Sequence, residues 1–540
     1  MKTIGISASI LTPGLTATFD ALGEAFGVSF EQRPFGDDRN ISGWIVLTTD
    51  RTLIPQIAQA TRPCYVILAD SASDSHETKA QLAFADRPEL DAVLRDRRIT
   101  VDDALGLRAL PEWLECVVPL AFVNGSPVWA LQERGDCRHH YVALSPPELS
   151  DGEPLFAHLF GQRLARLLPL VLFVRSLAED GWEPPPLQAT FMFDDPNLHW
   201  KSYGYIDYSE MVSRAMAGNY HVAVATIPLD AWFAHQSAIA IFKKNPGRLS
   251  LLYHGNDHLF RELGGSLSPA AMQNLLNQAS HRIAGMEART GLDVARVMAP
   301  PHGACGETAI FEMARLGFEA VCVSRGSLRH HNPRAAWVRT LGMQACDFVG
   351  DLPVIPRFGL SSNCHNDILI AALLRQPIVP MTHHQAVADG YDVLDEAASF
   401  VNSLGGVSWR DMTGISRSLY SHRQESSTLR VKMWSNRVSV RVPPGTEYIQ
   451  VERSNVGSRE GPLSWRIGTG NRPWSVAPPT GIIAAEADVT IEVACGAAVA
   501  GRVEARDAGG ARLAPIARRL LTEGRDRALP SLRRIARRGR

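Results

Sequence analysis

The sequence has no C-x-x-C pair, no apolar run long enough to cross a bilayer, no glycine-rich phosphate loop and almost no net charge. Each absence excludes something. The eight cysteines, Cys64, Cys116, Cys137, Cys305, Cys322, Cys346, Cys364 and Cys495, are scattered, several inside apolar runs such as Ala320-Val321-Cys322-Val323. They read as buried reduced thiols rather than a disulfide framework or a zinc ribbon. A formal net charge of -1 gives no global field toward nucleic acid or membrane. The run Leu164–Val174 is too short for a membrane span and is broken by Arg166 and Pro169. After Met1-Lys2 the chain is uncharged to Phe19, but Pro13, Gly14 and several threonines interrupt the apolar core of a signal peptide. A cytoplasmic protein is therefore expected. No G-x-G-x-x-G and no P-loop proposes a nucleotide, and no solenoid-type repeat is found.

What is present is an ordinary globular composition over 540 residues, enough for two to four domains. Residues 1–178 read as an α/β domain of unknown role, with strands at Lys2–Ser7, Gly43–Leu47 and Cys64–Ala69 and a hairpin turn at Asn124-Gly125. His139-His140 has no partner cluster in the sequence. Glu179–Gln188, with Gly181 and Pro184-Pro185-Pro186, reads as a linker. From 188 to 415 strand-like runs alternate with helical ones. Strands are predicted at Thr190–Phe193, His221–Thr226, Leu249–Tyr253, Arg296–Ala299, Ala320–Val323 and Pro377–Met381, with helices between them. That alternation predicts parallel strands, in a barrel or a doubly wound sheet, with the active site at their carboxyl ends. Residues 425–510 carry short strands spaced by turn residues and predict a small all-β sandwich. Its Trp434, Trp465 and Trp474 fit either glycan binding or packing. The Arg-rich segment 511–540 reads as a solvated helix, or as a tail for an acidic partner.

The chemistry-bearing residues lie at the predicted strand ends. Asp194 and Asp195 close the run Phe191-Met192-Phe193, and Pro196 helps turn the chain so that both carboxylates can face one cavity. His254 and His258 follow Leu251-Leu252-Tyr253. Spacing of i and i+4 places the two imidazoles on one side of a helical turn. One carboxylate and two imidazoles leave a metal's fourth position open for water, which separates a catalytic zinc site from a closed structural one. The second carboxylate is then free to act as a base. Asp257 is either a further ligand or a carboxylate that orients a histidine. Ala299-Pro300-Pro301-His302-Gly303 is a tight loop whose backbone N–H groups suit an oxyanion, or an ordinary strand–helix loop. His383 and His384 follow another strand and suit protonation of a leaving group. Trp200, Tyr203, Tyr205 and Tyr208 fit a sugar-stacking rim or core packing.

In this order, Asp-Asp, H-x-x-x-H, a P-P-x-G loop and a strand-end His, the region 188–415 resembles the polysaccharide deacetylase superfamily, the NodB-homology domain. The resemblance implies a distorted seven-stranded (β/α) barrel that binds a divalent metal, zinc above all, and removes an acetyl group from an N- or O-acetylated glycan or amino sugar. By matching positions it implies Asp194 as base, Asp195, His254 and His258 as metal ligands, and His383 or His384 as acid. It further implies the His302 backbone N–H as oxyanion donor. The chain departs from the family's R-x-P-Y-G motif: Ala299 stands at the Arg position and His302 at the Tyr position, and no tryptophan-bearing fourth motif is found. Two other readings are compatible with these residues: an amidohydrolase acting on a non-carbohydrate amide, and a catalytically weakened polysaccharide-binding module, the latter favoured by the missing Arg.

Overall fold

The computed structural model describes residues 2–8, 11–48, 50–68, 79–102, 109–114, 117–135, 137–159, 161–178, 181–265, 267–333, 337–453, 463–468, 472–478, 480–496 and 513–538. Cys116 lies outside them. The other seven cysteines are free thiols. The chain divides into two units, Met1–Trp182 with Ala336–Gln344, and Glu183–Ala335 with Ala345–Arg540.

The first unit is built on a nine-stranded sheet. Five strands, in spatial order Val28–Gln32, Lys2–Ala8, Ile41–Thr48, Cys64–Leu68 and Cys137–Val142, pair in parallel. The remaining four continue the sheet antiparallel. Asn124 and Gly125, at φ 50° and 84°, make the tight turn joining Val118–Val123 to Ser126–Arg134. His140 stacks on Trp129 and accepts its indole N–H at 3.1 Å. Burial pushes its pKa down to about 3, so it is a neutral core residue.

The second unit carries the predicted chemistry. Its central sheet has nine strands, in spatial order Asp347–Val349, Leu352–Ile355, Ala320–Cys322, Val294–Met298, Leu249–Tyr253, Val222–Thr226, Phe191–Asp194, Pro380–Thr382 and Phe358–Gly359. All neighbours are parallel except the edge hairpin of the first two. The expected seven-stranded barrel thus takes the form of a curled sheet, left open between its two edge strands. Small residues at alternate positions, such as Ala223 and Ala225, line one face, and Met412, Ile415, Leu419 and Trp434 pack against them. Strand period two puts those alanines on the same face, and their size lets the sheet curl tightly around the plug.

Beyond residue 420 lie two four-stranded sheets, Tyr420–Glu425, Thr428–Met433, Tyr448–Arg453 and Ile482–Ala484 in one, Arg437–Arg441, Thr490–Cys495, Leu463–Ile467 and Ser475–Val476 in the other. They share a single apolar core that includes Val431, Val440 and Ile491. Trp434 is buried, Trp465 packs on this core, and Trp474 lies beneath Arg437 and Arg466. All three tryptophans therefore pack. Glu492 is wholly buried and receives Arg466 at 2.5 Å, Arg437 at 3.1 Å and Arg417 at 3.3 Å, while Arg417 also binds Glu319 at 2.5 Å. This ionic cluster joins the β region to the central sheet.

The Arg-rich tail differs from the solvated helix expected. Leu513–Arg538 is one helix, and its Arg519, Glu523 and Asp526, spaced i, i+4, i+7, fall on one face. Arg519 pairs with buried Asp230 at 2.5 Å, Glu523 with His199 at 2.8 Å, and Asp526 accepts from the Tyr203 hydroxyl at 3.1 Å. Its partners are spread along distant sequence, so charge patterning alone reports a solvated face.

Two predictions follow from these ionic contacts. Glu492→Ala should strand buried guanidinium groups and lower stability by about 3–5 kcal/mol, measured by denaturant unfolding; an unchanged midpoint would deny the cluster its structural role. Burial opposes the charge on His199, but its bond to Glu523 prevails and raises its pKa above the ordinary 6.5. Burial likewise works against Glu523, but His199 holds it down at about 2. The His199 contribution is therefore complete below pH 6.5 and disappears as pH rises through the raised value. The Glu523 contribution is complete above its ordinary 4.5 and disappears as pH falls toward 2. Protease sensitivity of the C-terminal helix should be least between those two ordinary values, and a flat profile from acid to alkaline pH would contradict this.

Candidate metal centre

Asp194 is the last residue of its strand and is buried, and Asp195 is the first beyond it. Asp195 has φ 86°, a conformation that costs a non-glycine residue on the order of 1–3 kcal/mol. In a regular strand adjacent side chains point to opposite faces. The left-handed turn at Asp195 breaks that alternation and brings its carboxylate to the strand ends.

His254 and His258 do not sit on a helical turn, as the i, i+4 spacing suggests. They bracket an irregular loop in which Gly255 has φ 66° and His258 φ 54°. A Cβ on Gly255 would lie 2.1 Å from Glu262 Oε1 and 2.5 Å from Pro301 Cγ, so only glycine fits there. The loop winds around the buried Glu262 carboxylate. It accepts the backbone N–H of Asn256 at 2.7 Å, Asp257 at 3.0 Å, and His258 and Leu259 at 3.2 Å each. Burial nevertheless pushes the Glu262 pKa above its ordinary value. Asp257 faces elsewhere, paired with Arg282 at 2.6 Å.

Three donor atoms converge. Asp195 Oδ1 lies 3.4 Å from His254 Nε2 and 3.0 Å from His258 Nε2. His254 Nδ1 is 2.9 Å from the Ala299 carbonyl, an acceptor only, so Nδ1 carries the proton and Nε2 presents its lone pair or a second proton to the centre. Burial would raise the Asp195 pKa, but the two imidazoles beside it hold it well below the usual carboxylate range. Burial opposes charge on His254, while the Asp194 and Asp195 carboxylates raise its pKa. Asp195 Oδ1 is buried with no ordinary hydrogen-bond donor among the described residues. A carboxylate oxygen and two imidazole nitrogens lie within 4.8 Å of one another. The set fits a divalent cation with a fourth position left open.

Asp194 is held separately. Its Oδ1 accepts from Arg357 Nη1 at 2.9 Å, and Arg357 also reaches the Pro300 carbonyl at 3.4 Å. Arg357 follows the strand Leu352–Ile355, which sequence patterning missed because Pro353 and Pro356 interrupt its short apolar run. It places a guanidinium on Asp194 although Ala299 occupies the motif position where the resemblance leads one to look for Arg. Arg296 is engaged elsewhere, with Glu287 at 2.9 Å.

The two strand-end histidines diverge. His383 is half exposed, with Nε2 3.9 Å from Asp195 Oδ2. His384 is buried, stacked on Tyr205, and faces Asp526 of the C-terminal helix at 3.6 Å. Only His383 stands beside the triad. His302 has φ 56°, and its ring lies 5.0 Å from that of His258. Burial and the neighbouring His258 charge lower its pKa. Of the aromatic run, Tyr203 and Tyr208 are buried core residues and Trp200 is exposed.

No protein-family model and no curated protein matches the chain. Solved structures do match parts of it. A putative polysaccharide deacetylase from Mycobacterium smegmatis is 12% identical, with 44% of this chain and 92% of that one covered, at a TM-score of 0.31. A family 4 carbohydrate esterase from Streptomyces lividans, in complex with acetate, is 12% identical, with 42% and 93% covered, at a TM-score of 0.23. A CE4 family pseudoenzyme from Bacillus anthracis is 10% identical, with 44% and 67% covered, at a TM-score of 0.25.

Because Glu262 fixes the loop that carries both histidines, Glu262→Ala should weaken zinc binding by about 10–100-fold in titrations against a competing chelator. Wild-type affinity in that variant would show that the loop holds its shape without the carboxylate.

Proposed function

We propose that this chain is a metal-dependent hydrolase that removes acetyl groups from an N- or O-acetylated glycan. The observation that carries the proposal is the pairing of two differently held carboxylates one residue apart. Asp195 is turned to the two imidazoles, and Asp194 is fastened to Arg357. Environment thereby separates their roles.

Asp195, His254 and His258 would hold the metal, with zinc preferred by one carboxylate and two imidazoles. When bound, it supplies Lewis acidity at the open coordination position. The chain's own groups do the rest. Arg357 occupies Asp194 Oδ1, which leaves Oδ2 to take the proton of the attacking water. His383 is the acid for the departing amine or alkoxide, since it is half exposed and 3.9 Å from Asp195, whereas His384 faces Asp526. The His302 backbone N–H, at the turn set by Pro300 and Pro301, is the donor assigned to the developing oxyanion. A decayed binding module draws its main support from the missing motif arginine; Arg357 on the base weakens that support. An amidase acting on a non-carbohydrate amide would use the same groups and is separated by substrate alone.

Acetate release from a panel of N- and O-acetylated glycans tests the proposal. Asp194→Asn should lower turnover on the order of 10²–10⁴-fold with metal content unchanged, and His254→Ala should lose both. Arg357→Ala should resemble Asp194→Asn, keeping the metal while losing turnover. His383→Ala should be far more damaging than His384→Ala to the rate with a poor leaving group. Metal-loaded wild type that releases no acetate from any member of the panel would refute the substrate class. Full activity in Asp194→Asn would refute the assignment of the base.

A further inference from the structure

The helix Leu513–Arg538 is seated by its charged side and keeps its apolar side outward. Arg519–Asp230 is a buried ion pair, supplemented by Glu523–His199 and by the Tyr203 hydroxyl on Asp526. Well-packed apolar residues would seat a helix at least as well, since replacing a buried ion pair by them is often neutral or stabilising. The helix has suitable leucines, but they point away. Leu513 is 85% exposed, Leu521 75% and Leu520 54%. By helical period Leu513 and Leu521 face away from the docked Arg519 and Asp526, and Leu520 lies at the border between the two sides. The exposed apolar surface continues onto the neighbouring loop. Trp232, 65% exposed, lines the same cavity of about 380 Å³ as Leu520, and Phe233 stacks beside it. Arg518 is exposed beside the leucines, and Arg525, 65% exposed, pairs with Asp526 at 2.7 Å next to it.

We propose that this face rests on an anionic lipid surface, with the helix lying in the plane of the headgroups. Projecting leucines with an indole alongside suit the boundary between headgroup and acyl chain. Flanking guanidinium groups complement anionic headgroups and suit them better than a neutral bilayer. The side chains of Leu513 and Leu521 project from a helix lying on the surface. The chain's near-neutral total charge is no obstacle, because the cations sit locally at the edge of the apolar face. The ion pairs act as the device that fixes which side of the helix faces out. A surface helix of this kind would bring the enzyme to a layer without any spanning segment; no helix among the described residues is long and apolar enough to cross a membrane.

Flotation of the full chain with vesicles tests this. The probes are phosphatidylcholine alone and an equal mixture of phosphatidylcholine and phosphatidylglycerol. The chain should float with the mixture, not with phosphatidylcholine alone, and raised salt should weaken it. Leu521→Glu and Leu513→Glu should each reduce partitioning by about tenfold. Because both side chains lie in solvent, thermal unfolding should be unchanged, which separates lost docking from lost folding. No flotation at low salt would overturn the proposal, as would wild-type flotation of both variants. Failure to float combined with a dimer that Leu521→Glu dissociates would assign the face to a second copy instead.

Discussion

Three polar atoms brought to one point are what the rest of the second unit's strand-end loops are arranged around. Asp195, His254 and His258 bring a carboxylate oxygen and two imidazole nitrogens within a few ångströms, a set that suits a cation. Holding them there consumes backbone freedom. Asp195 and His258 both adopt left-handed conformations, and Gly255 occupies a position that no side chain would fit. The Glu262 carboxylate gathers four backbone N–H groups that would otherwise be unsatisfied in this loop. Each strained residue lies at the carboxyl end of a parallel strand, where the sheet supplies rigid support and the loops supply direction.

A second constraint is laid on Asp194. A buried carboxylate needs a partner, and Arg357 reaches it from just past a strand, 163 positions further along the chain. Asp194 is thereby fixed by a residue outside every local motif. Position 299 is an alanine, and the arginine that contacts Asp194 stands at 357.

Much of the site could be read in the sequence because its chemistry sits at strand ends and strands announce themselves by apolar runs. Phe191–Asp194, Val222–Thr226 and Leu249–Tyr253 fall within a residue or so of their predicted bounds. The residues that escaped notice act over long sequence distance or through weak local signals. Arg357 follows a strand broken by prolines. Glu262 looks like a surface glutamate until the loop closes on it. The i, i+4 spacing of His254 and His258 suggested a helix, whereas the ring positions converge through a glycine-dependent loop. His383 and His384 are equivalent as letters. Their partners tell them apart, Asp195 beside His383 and Asp526 of the final helix beside His384. That helix was readable as a helix but not as docked, because its partners Asp230 and His199 lie some 290 and 320 positions away.

The most direct test of this account is anomalous diffraction at the zinc absorption edge from crystals grown with zinc. The account predicts one strong peak within coordination distance of Asp195 Oδ1, His254 Nε2 and His258 Nε2, about 2.0–2.2 Å from each, with Asp194 beside it and still bound to Arg357. Absence of a peak there from zinc-saturated protein, or a peak at another histidine cluster, would contradict it.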